Sequence, residues 1–259
     1  MSYAAHAGVP VRVITVPGIG ELATPLPSGM LKNITDHLDP LDFALEQFNW
    51  QNEYGPVPVW NGRDYQSNLD QAVSDLCARL ITVGIEVGHR VVPMGYSGGA
   101  HVLSLALERL ERAGTPIPMP AIVMVSNPSR RADDPTMFPG IPGRYGITGQ
   151  HGRFPMGAAL IDVSNPADVI CSCPPPPHPL RGFADISRHF SLADPVRWGV
   201  ETLETAKRGQ FQNAWRLSSL PSWWDAVALA RGYLFDGQHT NWYVPRLAAV
   251  ADRLKMELS

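Results

Sequence analysis

Long apolar runs are missing from this 259-residue chain. No stretch approaches the ~20 consecutive apolar residues of a membrane-spanning helix, so no transmembrane segment is expected. Cysteine is scarce: Cys77, Cys171 and Cys173 are all there is. An odd, sparse set does not describe a disulfide framework. Cys77 falls on the apolar face of a helical pattern and reads as core. Cys171-x-Cys173 beside His178 has neither the spacing nor the fourth ligand of a usual zinc site, so no metal is expected. Basic residues form no stripe. Lys and Arg total 21 against 24 acidic residues, for a formal net charge of −3. Nucleic acid is therefore not expected as a partner. Met1 to Val9 lacks a charged stretch followed by an apolar one. No secretory signal is read there, and synthesis in a cytosol is expected. No internal repeat is visible.

What the chain does have is 44% hydrophobic content, enough for one large domain with a core of its own, read as 1–259. Val11 to Val16 is a β-branched run that stops at Pro17-Gly18-Ile19-Gly20. It reads as a first core strand and a tight loop. Phe43 to Phe48 reads as a second strand, and Asn49 to Tyr65 as a loop. Gln66 to Val83 is an amphipathic helix, with Leu69, Val73, Leu76, Leu80 and Ile81 on one face and Gly84 as its stop. Ala121 to Ser126 and Ala158 to Ser164 are apolar strands that end at Asn127-Pro128 and Asn165-Pro166. Strands alternating with helices imply a mostly parallel sheet with helices on both faces.

After Asp168 the character changes. Cys173-Pro174-Pro175-Pro176-Pro177-His178-Pro179 is stiff and extended. From Asp194, a good N-cap followed by Pro195, the pattern turns helical, with a short helix from Ser222 to Ala230. Trp198, Trp215, Trp223, Trp224 and Trp242 fall in this region. A helical insertion from about 174 to 235 is expected. Its tryptophans fit a packed insertion and equally a cap that offers apolar surface to a lipid-like substrate.

The most informative segment is Gly95-Tyr96-Ser97-Gly98-Gly99. Arg90 to Met94 before it reads as a buried strand. Ala100 to Arg112 after it is helical, with Val102, Leu103, Ala106, Leu107 and Leu110 on one face and Gly114 as its cap. Strand, G-x-S-x-G, helix is the context of a nucleophile elbow. The serine sits on a turn so tight that its backbone is strained, and small neighbours let strand and helix pass. Its oxygen projects at the carboxyl edge of the sheet, near the positive end of a helix.

A serine hydroxyl needs a base, and the base an orienting carboxylate. In the chain order Ser, acid, His, the acid falls on Asp168, directly after a strand in a turn of Asn, Pro and Ala. Asp162 lies inside the strand and should point into packing. Asp185, Asp194 and Asp225 read as caps or surface charges. Of the eight histidines, His6, His37 and His89 precede the serine, and His151 precedes the acid. His101 reads as surface. His178 and His189 belong to the proline stretch and the insertion. His239, in a loop ahead of a last helix that starts near Pro245, is the expected base. Gly98 and the Gly18-Ile19-Gly20 loop are the expected sources of oxyanion-binding amides.

These residues, taken in order, resemble the lysin B proteins of mycobacteriophages, which are cutinase-like serine esterases. The matching stretches are Thr15 to Gly20, Trp50 to Trp60 with Tyr54-Gly55-Pro56, and Met94 to Ala100. They continue with Asn127-Pro128-Ser129-Arg130, Asp168 after Asn165-Pro166, and His239-Thr240-Asn241-Trp242-Tyr243 leading to Pro245. The resemblance implies an α/β-hydrolase fold and cleavage of the ester between mycolic acid and arabinogalactan during phage lysis. It assigns Ser97 as nucleophile, Asp168 as acid, His239 as base, and Ile19 with Gly98 as oxyanion amides. It implies no cofactor. It implies synthesis in the host cytoplasm and action at the cell envelope after release. Two departures stand out. Pro17-Gly18 replaces the family's His-Gly, and Gly98 replaces its Gln. Asp168-Val169-Ile170-Cys171 is also similar to cutinases, where that cysteine is bridged, but no partner for it is evident here. Two rival readings remain: a lipase or virion-associated esterase with another substrate, or a hydrolase fold that binds without catalysis.

Overall fold

The computed structural model describes residues 9–52, 65–182 and 220–259. Most of the expected insertion, including Asp185, His189, Asp194, Trp198 and Trp215, lies outside the described residues, as does the Tyr54-Gly55-Pro56 stretch.

Five strands form one sheet: β1 (Val11–Val16), β2 (Phe43–Gln47), β3 (Val91–Tyr96), β4 (Ala121–Val125) and β5 (Ala159–Val163). All pairings are parallel, in the order β2-β1-β3-β4-β5. Every residue of β3 and β4 is buried, as a parallel strand covered on both faces requires. Side chains alternate between two cores. On one face α2 (Tyr65–Ile81) and α3 (Gly98–Arg112) bring Leu69, Leu76, Leu103 and Leu107 against Ile14, Ile122 and Met124. On the other, α1 (Gly29–Thr35) and α5 (Ala248–Leu258) bring Ile34, Val250 and Leu254 against Val13, Val92 and Val123. A further described α-helix is α4 (Leu220–Leu234).

Several boundaries differ from the sequence reading. α1 was not expected. Ser28 makes no side-chain cap there. Instead, the carboxylate of Glu21 accepts a hydrogen bond from the Met30 amide at 2.7 Å, so the capping group comes from outside the local pattern. Gly84 does not stop the helix before it. The chain passes through a wide π-type turn, Thr82–Glu86, and a Cβ on Gly84 would lie 2.4 Å from Ile117 Cγ2. That glycine serves close packing. α4 runs further than Ser222 to Ala230 at both ends. A short 3₁₀ turn, Val244–Arg246, precedes α5. All three cysteines are free and buried. No helix among the described residues is long and apolar enough to cross a membrane.

The strand order sets the location of the site. From β1 the chain goes outward to the edge strand β2, then returns to β3 on the other side of β1. A crevice opens outside the carboxyl ends of β1 and β3, where the direction of winding reverses. Gly18-Ile19 follows β1 and Ser97 follows β3, so both flank that crevice.

Candidate active site

Ser97 occupies the turn between β3 and α3 with φ 51° and ψ −120°. A non-glycine residue with positive φ is strained, and it persists only where its surroundings impose it. The surroundings here are glycines. A Cβ on Gly95 would lie 2.6 Å from Ala100 Cα, and one on Gly99 would lie 2.1 Å from Val16 O. Both contacts are with backbone and cannot relax. The Ser97 amide is held by Val125 O at 3.0 Å.

His239 faces this serine. Its Nε2 is 2.8 Å from Ser97 Oγ, and its Nδ1 is 2.8 Å from Asp168 Oδ2. Nδ1–H therefore donates to the carboxylate and leaves Nε2 to accept from Ser97. The ring is fixed from the sheet side by Tyr96, stacked at 5.4 Å between centroids, whose hydroxyl donates to His239 O at 2.8 Å. Tyr233 of α4 lies 5.0 Å from the ring on another side.

Asp168 is fully buried in a turn built by Asn165. The Asn165 side-chain oxygen accepts from the Ala167 amide, and its Nδ2 donates to Gln238 O at 2.7 Å. One asparagine thus ties the loop after β5 to the loop that carries His239. Asp168 Oδ2 accepts hydrogen bonds from His239, from Ser126 Oγ at 2.6 Å and from Tyr243 OH at 2.8 Å, and a long one from Cys171 Sγ at 3.8 Å. Oδ1 accepts from the Ile170 amide at 3.0 Å. Burial opposes its charge, but His239, Ser126 and Tyr243 outweigh burial and hold the carboxyl below its ordinary range. Burial and Asp168 push the Cys171 thiol up to about 12, so it stays protonated.

The structure thus brings Ser97, His239 and Asp168 into one relay. It places Asp162 elsewhere: its Oδ2 meets Arg130 Nε at 3.1 Å and Ser164 Oγ at 2.7 Å, all buried. Burial raises the Asp162 carboxyl to about 6 against the pull of Arg130. His151 bonds Asp134 and stacks on Phe154, and buried His178 lies 3.5 Å from Asp225. Neither approaches the relay. No group of three or more His, Cys, Asp or Glu is arranged for a metal ion among the described residues.

Beside the serine, the loop after β1 is held from both sides. The Gly18 amide donates to Glu21 Oε2 at 2.7 Å, the Gly20 amide to Asn52 O at 3.0 Å, and Asn52 Nδ2 to Gly18 O at 2.7 Å. Ile19 lies between these anchors, against the start of α3. A Cβ on Gly98 would be 3.5 Å from Ile19 N and 2.8 Å from Ile19 Cγ1. That contact explains why glycine follows Ser97 here: the isoleucine fills the space a side chain would need.

Sequence reasoning missed Ser126, Tyr243, Tyr96 and Glu21. Ser126 could have been noticed. It ends an apolar strand as Ser97 does, and Tyr96 pairs with Val125, so the two serines leave neighbouring strands together. Ser126 is not a rival nucleophile. It is wholly buried and lies on the Nδ1 side of the ring, 3.1 Å away, whereas Ser97 lies on the Nε2 side.

No family model and no curated protein matches the sequence. Solved structures do. Lysin B from mycobacteriophage D29 superposes with a TM-score of 0.52 at 17% identity, covering 93% of this chain and 98% of that one. An acetylxylan esterase superposes with a TM-score of 0.50 at 16% identity, covering 76% of this chain and 97% of that one. A parallel five-stranded sheet between helical layers, with a strained serine at its carboxyl edge, gives this chain the α/β fold that it shares with these two proteins.

Proposed function

We infer that the protein is a serine carboxylic-ester hydrolase. The observation that carries this reading is the unbroken relay from Asp168 through His239 to Ser97, with 2.8 Å at each step, ending on a strained serine at the elbow. Ser97 Oγ attacks the ester carbonyl carbon while its proton passes to His239 Nε2. The imidazolium so formed is stabilised by Asp168, which remains ionised. The oxyanion is assigned to the amides of Gly98, the residue after the serine, and of Ile19, whose N would lie 3.5 Å from a Cβ on Gly98. Collapse expels the alcohol, which takes the proton from His239. Water then enters by the same route and releases the acid. Each step uses groups of this chain alone.

The substrate is proposed to be a lipid ester, and specifically the mycolic acid–arabinogalactan ester cut at the host envelope during phage lysis. Two observations support the finer reading. The motif order matches that family along the chain, and the superposition on lysin B spans nearly all of both chains. Trp223 and Trp224 are exposed apolar surface on α4, the helix that also carries Tyr233 to His239.

The test joins two measurements. Wild type should hydrolyse p-nitrophenyl butyrate, and Ser97→Ala should lose at least about a thousandfold while folding normally, because triad members act as a unit. A fluorophosphonate should label Ser97 and spare Ser126. Incubation of wild type with mycolylarabinogalactan should release free mycolic acid. Turnover of the chromogenic ester without that release would leave an esterase of another substrate. No turnover of either would leave a hydrolase fold that only binds.

A further inference from the structure

Ser97 has a counterpart. Ser126 follows β4 as Ser97 follows β3, and both have φ 51°, the only non-glycine residues with positive φ among those described. Both side chains reach the same imidazole, from opposite sides. Ser126 Oγ is 2.6 Å from Asp168 Oδ2 and 3.1 Å from His239 Nδ1. Its amide is held by Val163 O at 2.9 Å, which couples the strained turn to β5, the strand that leads to Asp168. Strain of this kind is retained only where something over-determines it. At Ser97 the elbow explains it. At Ser126 the neighbouring reason is the aim of one hydroxyl.

We propose that Ser126 is a positioning residue that fixes the proton of His239 on Nδ1. The proposal rests on the relay reading given above and extends it to a fourth side chain. A serine hydroxyl has one hydrogen and two lone pairs. Asp168 Oδ2, a carboxylate oxygen, can only accept, so the single hydrogen of Ser126 goes there. The lone pairs of Ser126 then face Nδ1. A nitrogen placed between a carboxylate oxygen and the lone pairs of a hydroxyl must carry the hydrogen itself. Nε2 is left bare and faces Ser97. Tyr243 OH, which donates to the same Oδ2 at 2.8 Å, keeps that oxygen from turning away.

The experiment compares Ser126→Ala and Ser126→Gly with wild type. Glycine removes the hydroxyl and the backbone strain together, so it folds even if alanine does not. Two readouts are taken on each folded variant: kcat and KM for p-nitrophenyl acetate, and the ¹⁵N shifts of the His239 ring. In wild type the uncharged ring should show a protonated Nδ1 and a bare Nε2. Both variants should lose about tenfold to a hundredfold in kcat, the range for one hydrogen bond to a charged group, with KM changed little. Their ¹⁵N shifts should move toward a mixture of tautomers. An unchanged ¹⁵N pattern in Ser126→Gly overturns the proposal, whatever the rate. So does a wild-type kcat in Ser126→Gly. The ring signal needs no turnover. A shift in the variants of an inactive wild type would therefore count against the esterase reading and not against the role of Ser126.

Discussion

Replacing Asp168 with asparagine separates charge from shape. Four nitrogen and oxygen donors converge on this side chain: His239 Nδ1, Ser126 Oγ and Tyr243 OH on Oδ2, and the Ile170 amide on Oδ1. An amide offers one acceptor oxygen and an NH2 that only donates. With its oxygen at the Oδ2 position, asparagine keeps three of these bonds and sets its NH2 against the Ile170 amide. The fold should survive at a cost of about 1–3 kcal/mol, the range for one orphaned buried donor. The rate should not. The imidazolium formed at His239 loses its counter-charge, and kcat/KM should fall on the order of a thousandfold, or about 4 kcal/mol of transition-state stabilisation. Asp162→Asn is the matched control on the strand just before. It leaves the buried Arg130 charge unpaired and should cost about 3–5 kcal/mol in stability with the rate per folded molecule near wild type. Initial rates on p-nitrophenyl butyrate and urea denaturation of both variants decide the matter. An Asp168→Asn variant within about tenfold of wild type would refute the assignment. So would Asp162→Asn proving the slower enzyme at equal folded fraction. The same charge has a pH signature. Asp168 is held below its ordinary value, so its contribution to stability is present above about pH 4 and is lost as pH falls through the folded value. Wild type should therefore lose more stability than Asp168→Asn between about pH 5 and pH 2.

Two further changes probe the walls of the site. Gly98→Ala places a methyl 2.8 Å from Ile19 Cγ1, so it should displace the Ile19 loop and lower kcat by about a hundredfold, as loss of one oxyanion donor does. Adding Ile19→Ala should restore part of that rate, and a wild-type rate in the single variant would remove Ile19 from the oxyanion hole. Trp223 and Trp224 are 46% and 74% exposed, so replacing both with serine should leave the melting temperature nearly unchanged. Palmitate esters should then suffer far more than butyrate esters, since each methylene contributes about 0.8 kcal/mol against an apolar wall. Equal losses on both esters would show that α4 does not contact the acyl chain.

The sheet was legible because parallel strands buried on both faces are written as short apolar runs with sharp ends. Val11 to Val16 and Ala121 to Val125 are such runs. The elbow was legible because its glycines are demanded by backbone contacts that no neighbouring side chain can relieve. His239 and Asp168 were legible through chain order and their place after a strand or before a helix. α1 was not, because its cap comes from Glu21, on the far side of Pro25 and Pro27. The partners of Asp168 were not legible either. Ser126 and Tyr243 lie 42 and 75 residues from it, and nothing local marks a hydroxyl that will face a distant carboxylate. Gly84 misled for a related reason, since close packing on Ile117 and a helix stop both call for glycine.

The relay also closes very long loops. Ser97 and His239 are 142 residues apart, and Asp168 and His239 are 71 apart. Contacts between such remote positions form only after the entropy of closing the intervening chain has been overcome. The pieces that surround them are local by comparison: α3 follows directly on β3, and the turn that holds Asp168 is closed within itself by Asn165. In a refolding chain, helix and sheet are therefore expected before the relay of Ser97, His239 and Asp168 is complete. The docking of the segment that runs from Gln238 to Tyr243 is expected late, because it closes the longest of these loops. Refolding followed at once by circular dichroism and by fluorophosphonate labelling of Ser97 should therefore show order returning before labelling does.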